Sequence, residues 1–158
     1  MSEGRTTAVE AASCPFLEQS FAEDTIGMRL SRITVLRTGG RTTGCRLYAL
    51  QDSSLAASEG LPGPTQPAVA ITSTRYPSAT AAHHAYVALG AKGTNPQQDS
   101  LGGGVTATCF QTVFYQQDHG ADWACAFSKG STAVLVRTVV TSPALDAVQL
   151  AKTILPAI

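Results

Sequence analysis

Four cysteines, Cys14, Cys45, Cys109 and Cys125, most narrow what this chain can fold into. Their number is even and their spacings are long. No Cys-x-x-Cys pair occurs, which sets aside a zinc ribbon or a thioredoxin motif. Cys14 opens the apolar run Cys-Pro-Phe-Leu, and Cys125 lies in Trp-Ala-Cys-Ala-Phe. Two disulfides in an oxidising compartment is the favoured reading. Four buried free thiols in a cytosolic protein is the alternative, since free cysteine packs as a small hydrophobe. Four cysteines allow three connectivities, of which sequential pairing, Cys14 with Cys45 and Cys109 with Cys125, is the choice made here. The second pair meets a difficulty. A hairpin centred on His119 sets Cys109 opposite residue 129 and Cys125 opposite residue 113, which separates the two cysteines by about 13 Å along the ladder. A disulfide needs Cα atoms within about 7 Å. That bridge therefore requires a bulge or a slipped register; in a regular hairpin one or both thiols are free or paired elsewhere.

The chain has 158 residues, the length of one domain, and can bury a core without depending on its cysteines. Charged residues are only 14%, with 11 basic against 11 acidic. A balance of zero excludes non-specific nucleic-acid binding, which needs surplus basic charge, and a polybasic membrane patch. No stretch approaches the ~20 apolar residues of a spanning helix. Residues 1–13 are small and polar, lack the apolar core of a signal peptide, and read as a flexible leader or tether. Residues 14–158 then form a single α+β domain.

Cys14 to Ile26 reads as a short helix with Phe16, Leu17, Phe21 and Ile26 on its apolar side and Ser20, Glu23 and Asp24 facing water. Arg29 to Arg37 and Cys45 to Leu50 alternate as strands around the turn Thr38-Gly39-Gly40-Arg41. Residues 51–66, rich in Ser, Gly and Pro, read as a loop. Ala68 to Tyr76 is a strand. Ser78 caps a helix that runs to about Leu89, with Ala82, Tyr86 and Leu89 on one side and Gly90 as its stop. Residues 90–104, including Gly102-Gly103-Gly104, read as a second long loop. Val105 to Tyr115, Ala121 to Ser128 and Thr132 to Val140 follow as strands, the last apolar on both faces and so suited to the middle of a sheet. Ser142-Pro143 starts a final helix lined by Leu145, Val148, Ala151 and Leu155. The order predicts a mostly antiparallel sheet of about six strands with helices packed on it, β-β-β-α-β-β-β-α after a short N-terminal helix.

Little in this pattern carries chemistry. His83 and His84 are adjacent on a helix, so their side chains diverge by about 100° and cannot chelate one ion as an i, i+4 pair would. Asp118, His119 and Asp122 could form a metal site, but aspartate is also a common turn residue. Cys109 and Cys125 flank one hairpin, and Cys125 alternates in phase with Trp123 and Phe127, a core setting that blunts thiol reactivity. The three glycines lack the lysine and following helix of a phosphate loop. No catalytic residue, cofactor site or metal site is assigned.

Cys14-Pro15-Phe16-Leu17, followed by Asp24-Thr25-Ile26-Gly27 and Cys45, together with the run from Ala126 to Val136 (AFSKGSTAVLV), resembles the actinobacterial secreted lipoprotein family labelled "domain of unknown function twenty-twenty". The resemblance covers most of residues 14–156. It implies an extracytoplasmic, cell-envelope location and a Cys14–Cys45 bridge, and it implies no catalytic residues. Cys109 and Cys125 depart from the family's usual pattern. The architecture is also similar to PsbP-like sandwiches, at the level of fold alone.

The leading expectation is therefore a non-enzymatic envelope or secreted binding domain, working through the loops at 51–66 and 90–104. Its partner would be a protein or a small apolar ligand, and a membrane would be met only through a lipid anchor absent from this chain. Two alternatives are a metal-dependent or hydrolytic enzyme using Asp118, His119 and Asp122, and a cytosolic redox protein using Cys109 and Cys125.

Overall fold

The computed structural model describes residues 5–26, 29–49, 67–91, 94–112, 122–138 and 144–158, and every strand among these residues belongs to one antiparallel sheet. In chain order the elements are β1 (Thr6–Ala11), α1 (Gln19–Ile26), β2 (Leu30–Thr38), β3 (Arg41–Ala49) and β4 (Pro67–Arg75). They continue with α2 (Ala79–Ala91), β5 (Thr94–Gly102), β6 (Val105–Thr112), β7 (Asp122–Lys129), β8 (Thr132–Thr138) and α3 (Ala144–Ile154). The eight strands lie in the order β1-β2-β3-β4-β8-β7-β6-β5. Two four-stranded meanders thus meet along a central β4–β8 seam. The α+β class with a mostly antiparallel sheet stands, while the expected six strands become eight.

Both additional strands are the edges of the sheet. β1 lies within the stretch expected as a leader, is exposed at every position, and pairs with β2 from Thr6↔Thr38 to Ala11↔Ile33. β5 replaces most of the loop expected at 90–104. Its polar sequence TNPQQDSLG has no apolar alternation because only β6 flanks it, and Pro96 is tolerated where no second neighbour needs its missing N–H. Gly102, Gly103 and Gly104, at φ 92°, 60° and 80°, make the tight β5–β6 turn rather than a linker. Gly39 and Gly40 likewise close the β2–β3 hairpin with positive φ, and β3 begins at Arg41 instead of Cys45.

The N-terminal helix is shorter than expected. Pro15 disfavours helical geometry at Cys14, so residues 14–17 form a turn closed by a Cys14↔Leu17 bridge and the helix starts at Gln19. Ser78 caps α2 as expected, its Oγ accepting from the Ala81 N–H at 3.1 Å. Gly90 does not stop that helix, which runs on to Ala91. The Ser142-Pro143 start expected for α3 and the loop at 51–66 lie outside the described residues.

α1 and α3 cover one face of the sheet. There Ile33, Leu47, Val69, Phe127 and Val134 pack against Ala147, Leu150, Ala151 and Ile154 in the main core. The stripe on α3 is thus wider than the one read from its sequence, taking in Ala147, Leu150 and Ile154 as well. α2 packs on the opposite face, over β7 and β8, where Tyr86 joins Phe110, Ala124 and Ala126 in a second cluster. β8 is central, as its apolar sequence required. Gly44 fits where β3 crosses β4 closely, because a Cβ there would run into the Ile71 carbonyl oxygen. No helix among the described residues is long and apolar enough to cross a membrane.

Candidate functional site

Both sequential disulfides form. Cys14 and Cys45 are bridged with Cα atoms 6.0 Å apart, and Cys109 and Cys125 with Cα atoms 4.0 Å apart. The difficulty foreseen for the second bridge is resolved by register. β6 and β7 pair without a bulge, and Cys109 stands directly opposite Cys125 rather than opposite residue 129. The register of the β6–β7 ladder is therefore shifted by two positions from one centred on His119. Both bridges stand on one transverse row of the sheet. From edge to edge it reads Val9, Val35, Cys45, Ile71, Val136, Cys125, Cys109 and Gln97. Cys45, Cys109 and Cys125 are fully buried.

The other residues singled out in the sequence do not gather with the cysteines. Asp118 and His119 lie outside the described residues, and Asp122 begins β7. His83 and His84 are exposed on α2 as a surface pair, with ring centroids 6.5 Å apart. Among the described residues no group of three His, Cys, Asp or Glu side chains converges to hold a metal ion.

α2 instead frames a cleft. Its C-terminal half and the β5–β6 hairpin border an open, shallow cleft of about 450 Å³, lined by Val87, Gly90, Ala91 and Pro96. At its base the Tyr86 and Thr108 hydroxyls hydrogen-bond at 2.9 Å, and the Gln98 amide donates to the Thr108 hydroxyl at 2.8 Å. Tyr86 and Thr108 are both buried, so this polar trio is satisfied within the protein. The His83 ring lies 5.6 Å from that of Tyr86 and borders the cleft. The two also line a second cavity of about 260 Å³ on the other flank of the helix, against Val105, Thr106 and Ser128. Gly90 permits the close approach of helix to sheet, since a Cβ there would fall 2.8 Å from the Thr108 methyl group. Val87, half exposed at 51%, presents a large apolar side chain to solvent at the mouth.

Sequence periodicity placed Tyr86 on the packed side of α2. It missed Gln98 and Thr108, because seeing them as partners requires β5 to be a strand. The signal that was available is the pairing of a Gly-Gly-Gly turn with flanking segments of similar length, a hairpin cue. In comparisons with known proteins, no family model and no curated protein matches the chain.

Proposed function

We propose that the chain is a non-enzymatic binding domain of the cell envelope or the secreted space, taking a small, largely apolar ligand in the cleft between α2 and the β5–β6 hairpin. The cleft carries this reading: its walls are apolar, and a few polar groups converge at its base, the usual make-up of a small-molecule site. The compartment is argued from the two disulfides, which are compatible with an oxidising location. The resemblance to secreted actinobacterial lipoproteins points the same way. Cys109–Cys125 is read here as a staple and not a redox couple, because both sulfurs sit where neither solvent nor a partner thiol reaches them.

The test is titration with the neutral fluorescent probe N-phenyl-1-naphthylamine. Wild-type protein is expected to bind it saturably. Ala91→Trp, which fills the cleft from an exposed helix position, is expected to abolish that binding with the far-UV circular dichroism unchanged. Equal binding by Ala91→Trp and wild type would remove the cleft from the reading.

A further inference from the structure

From the hydrogen-bond count at the base of the α2 cleft, we infer that the ligand taken there is an uncharged apolar molecule ending in a carbonyl group, as a ketone, ester or amide does. The inference rests on the reading of that cleft as a small-molecule site and names the chemistry the site selects. Gln98 and Thr108 are cross-strand partners in the β5–β6 ladder, so their side chains stand together on one face. α2 brings the Tyr86 hydroxyl onto that pair, and Gly90 allows the close approach. All three side chains line the cleft.

Each of the three has a partner, yet together they carry more hydrogens than they use on one another. Two hydroxyls and one primary amide hold four donor hydrogens. Two bonds join them, Gln98 to Thr108 and Tyr86 with Thr108, and their side chains make no other hydrogen bond among the described residues. Whichever hydroxyl donates in the Tyr86–Thr108 bond, the other keeps its hydrogen, and the Gln98 amide keeps one as well. Turning the amide over, so that Thr108 donates to its carbonyl, moves both spare hydrogens to the amide nitrogen and leaves their number unchanged. The base of the cleft therefore offers two donors to a ligand.

A carbonyl oxygen accepts two hydrogen bonds and brings no hydrogen of its own. It takes up the surplus, whereas a hydrocarbon end leaves a hydrogen of the buried hydroxyl pair without an acceptor. A carboxylate would also accept, but it would give up its water with no fixed cation to replace it. Neither lysine nor arginine lines the cleft among the described residues, and the His83 imidazole borders it from an exposed position. Val87, Ala91 and Pro96 receive the apolar body of the molecule, and the open mouth leaves its far end in water.

The test is displacement of N-phenyl-1-naphthylamine by three planar naphthalenes of one shape, at about pH 8, above the ordinary range of imidazole. They are 2-acetylnaphthalene, 2-isopropenylnaphthalene, in which carbon replaces the carbonyl oxygen, and 2-naphthoate. The quantity read is the affinity of the ketone relative to the hydrocarbon. Gln98 is exposed, so its variants are expected to fold, with far-UV circular dichroism as the check. In Gln98→Glu the carboxylate accepts from Thr108 while Tyr86 donates to Thr108, and no hydrogen is left over. The ratio should fall there roughly tenfold, the worth of the lost bonds, with the hydrocarbon bound as by wild type. Gln98→Met leaves one hydroxyl hydrogen and should fall between. Thr106→Val, which removes a hydroxyl from the other flank of α2, should leave the ratio unchanged. A ratio unmoved by Gln98→Glu, or 2-naphthoate binding wild type as tightly as the ketone does, would overturn this inference. If Ala91→Trp still blocks the probe in that case, the cleft stands as a site of other selectivity. Failure of wild type to bind any of the four compounds would overturn the cleft reading and this inference with it.

Discussion

Glu23 ties the end of α1 to the start of β2. Its carboxylate accepts from the Leu30 backbone N–H at 2.8 Å and from the Gln19 side-chain amide at 3.3 Å, while Gln19 also donates to the Leu30 carbonyl at 3.0 Å. These bonds lower its pKa below the ordinary carboxylate value, the Leu30 amide contributing most and Gln19 next. Desolvation works against them, and the Arg29 charge adds a smaller attraction. A depressed folded-state pKa contributes stability that is present above the unfolded-state value and is lost as pH falls through the folded one. Glu23→Gln should therefore flatten the acid limb of the stability profile. Urea midpoints measured from about pH 6 down to about pH 3 check this; an acid limb as steep as the parent's would show that Glu23 does not contribute to it. The sequence reading sent Glu23 to solvent with Ser20 and Asp24. Helical periodicity could not do better, because the partner that matters, Leu30, lies seven residues on, in a different element.

At the scale of elements, what the sequence made legible was what the core demands. Arg29 to Arg37, Ala68 to Tyr76 and Thr132 to Val140 carry side chains that must be buried and read as strands, and the structure has strands there at Leu30–Thr38, Pro67–Arg75 and Thr132–Thr138. β1 and β5 were not read, because an edge strand meets water on one border and needs no apolar period. The missing β5 concealed half of the α2 cleft. Cysteine pairing was legible in order but not in register, since a two-position shift of the β6–β7 ladder decides whether Cys109 meets Cys125. The bridges close segments with sequence separations of 31 and 16 residues. Chain entropy assigns them about 4 and about 3 kcal/mol. Replacing Cys14 and Cys45 by serine should thus cost more than replacing Cys109 and Cys125. The packing adds to that order: β6 and β7 stay held by their ladder, whereas residues 14–17 are held by one local bridge and by the burial of Cys14 and Leu17 in the core. Urea unfolding of the two double variants checks the order, and a larger loss for the Cys109/Cys125 pair would refute it. Wild-type protein made under oxidising conditions should show no reactive thiol when denatured without reductant.

Across the whole molecule, two meanders that each pair only with near sequence neighbours are joined within the sheet at β4–β8, where Val69 meets Thr138 and Arg75 meets Thr132. Ile71 and Val136 face each other at the middle of the shared row, with Cys45 and Cys125 beyond them on either side. Each half thus brings a disulfide cysteine to within one strand of the seam. Both central residues are fully buried, and the main core runs across the seam without a break, from Ile33 and Leu47 to Phe127 and Leu150. A continuous core of this kind makes the halves unfold together, despite their local pairing. Ile71→Ala removes apolar contacts on both sides of the seam and should cost about 2–5 kcal/mol. If the halves are one unit, the loss shifts every probe equally. Trp123, the single tryptophan, lies in β7 and reports only on the second meander, while far-UV circular dichroism reports on both. The two urea transitions should coincide in wild type and should move together in Ile71→Ala. A tryptophan transition left at the wild-type midpoint while the dichroism transition falls would mean that the second meander holds its own core, with the first merely docked on it.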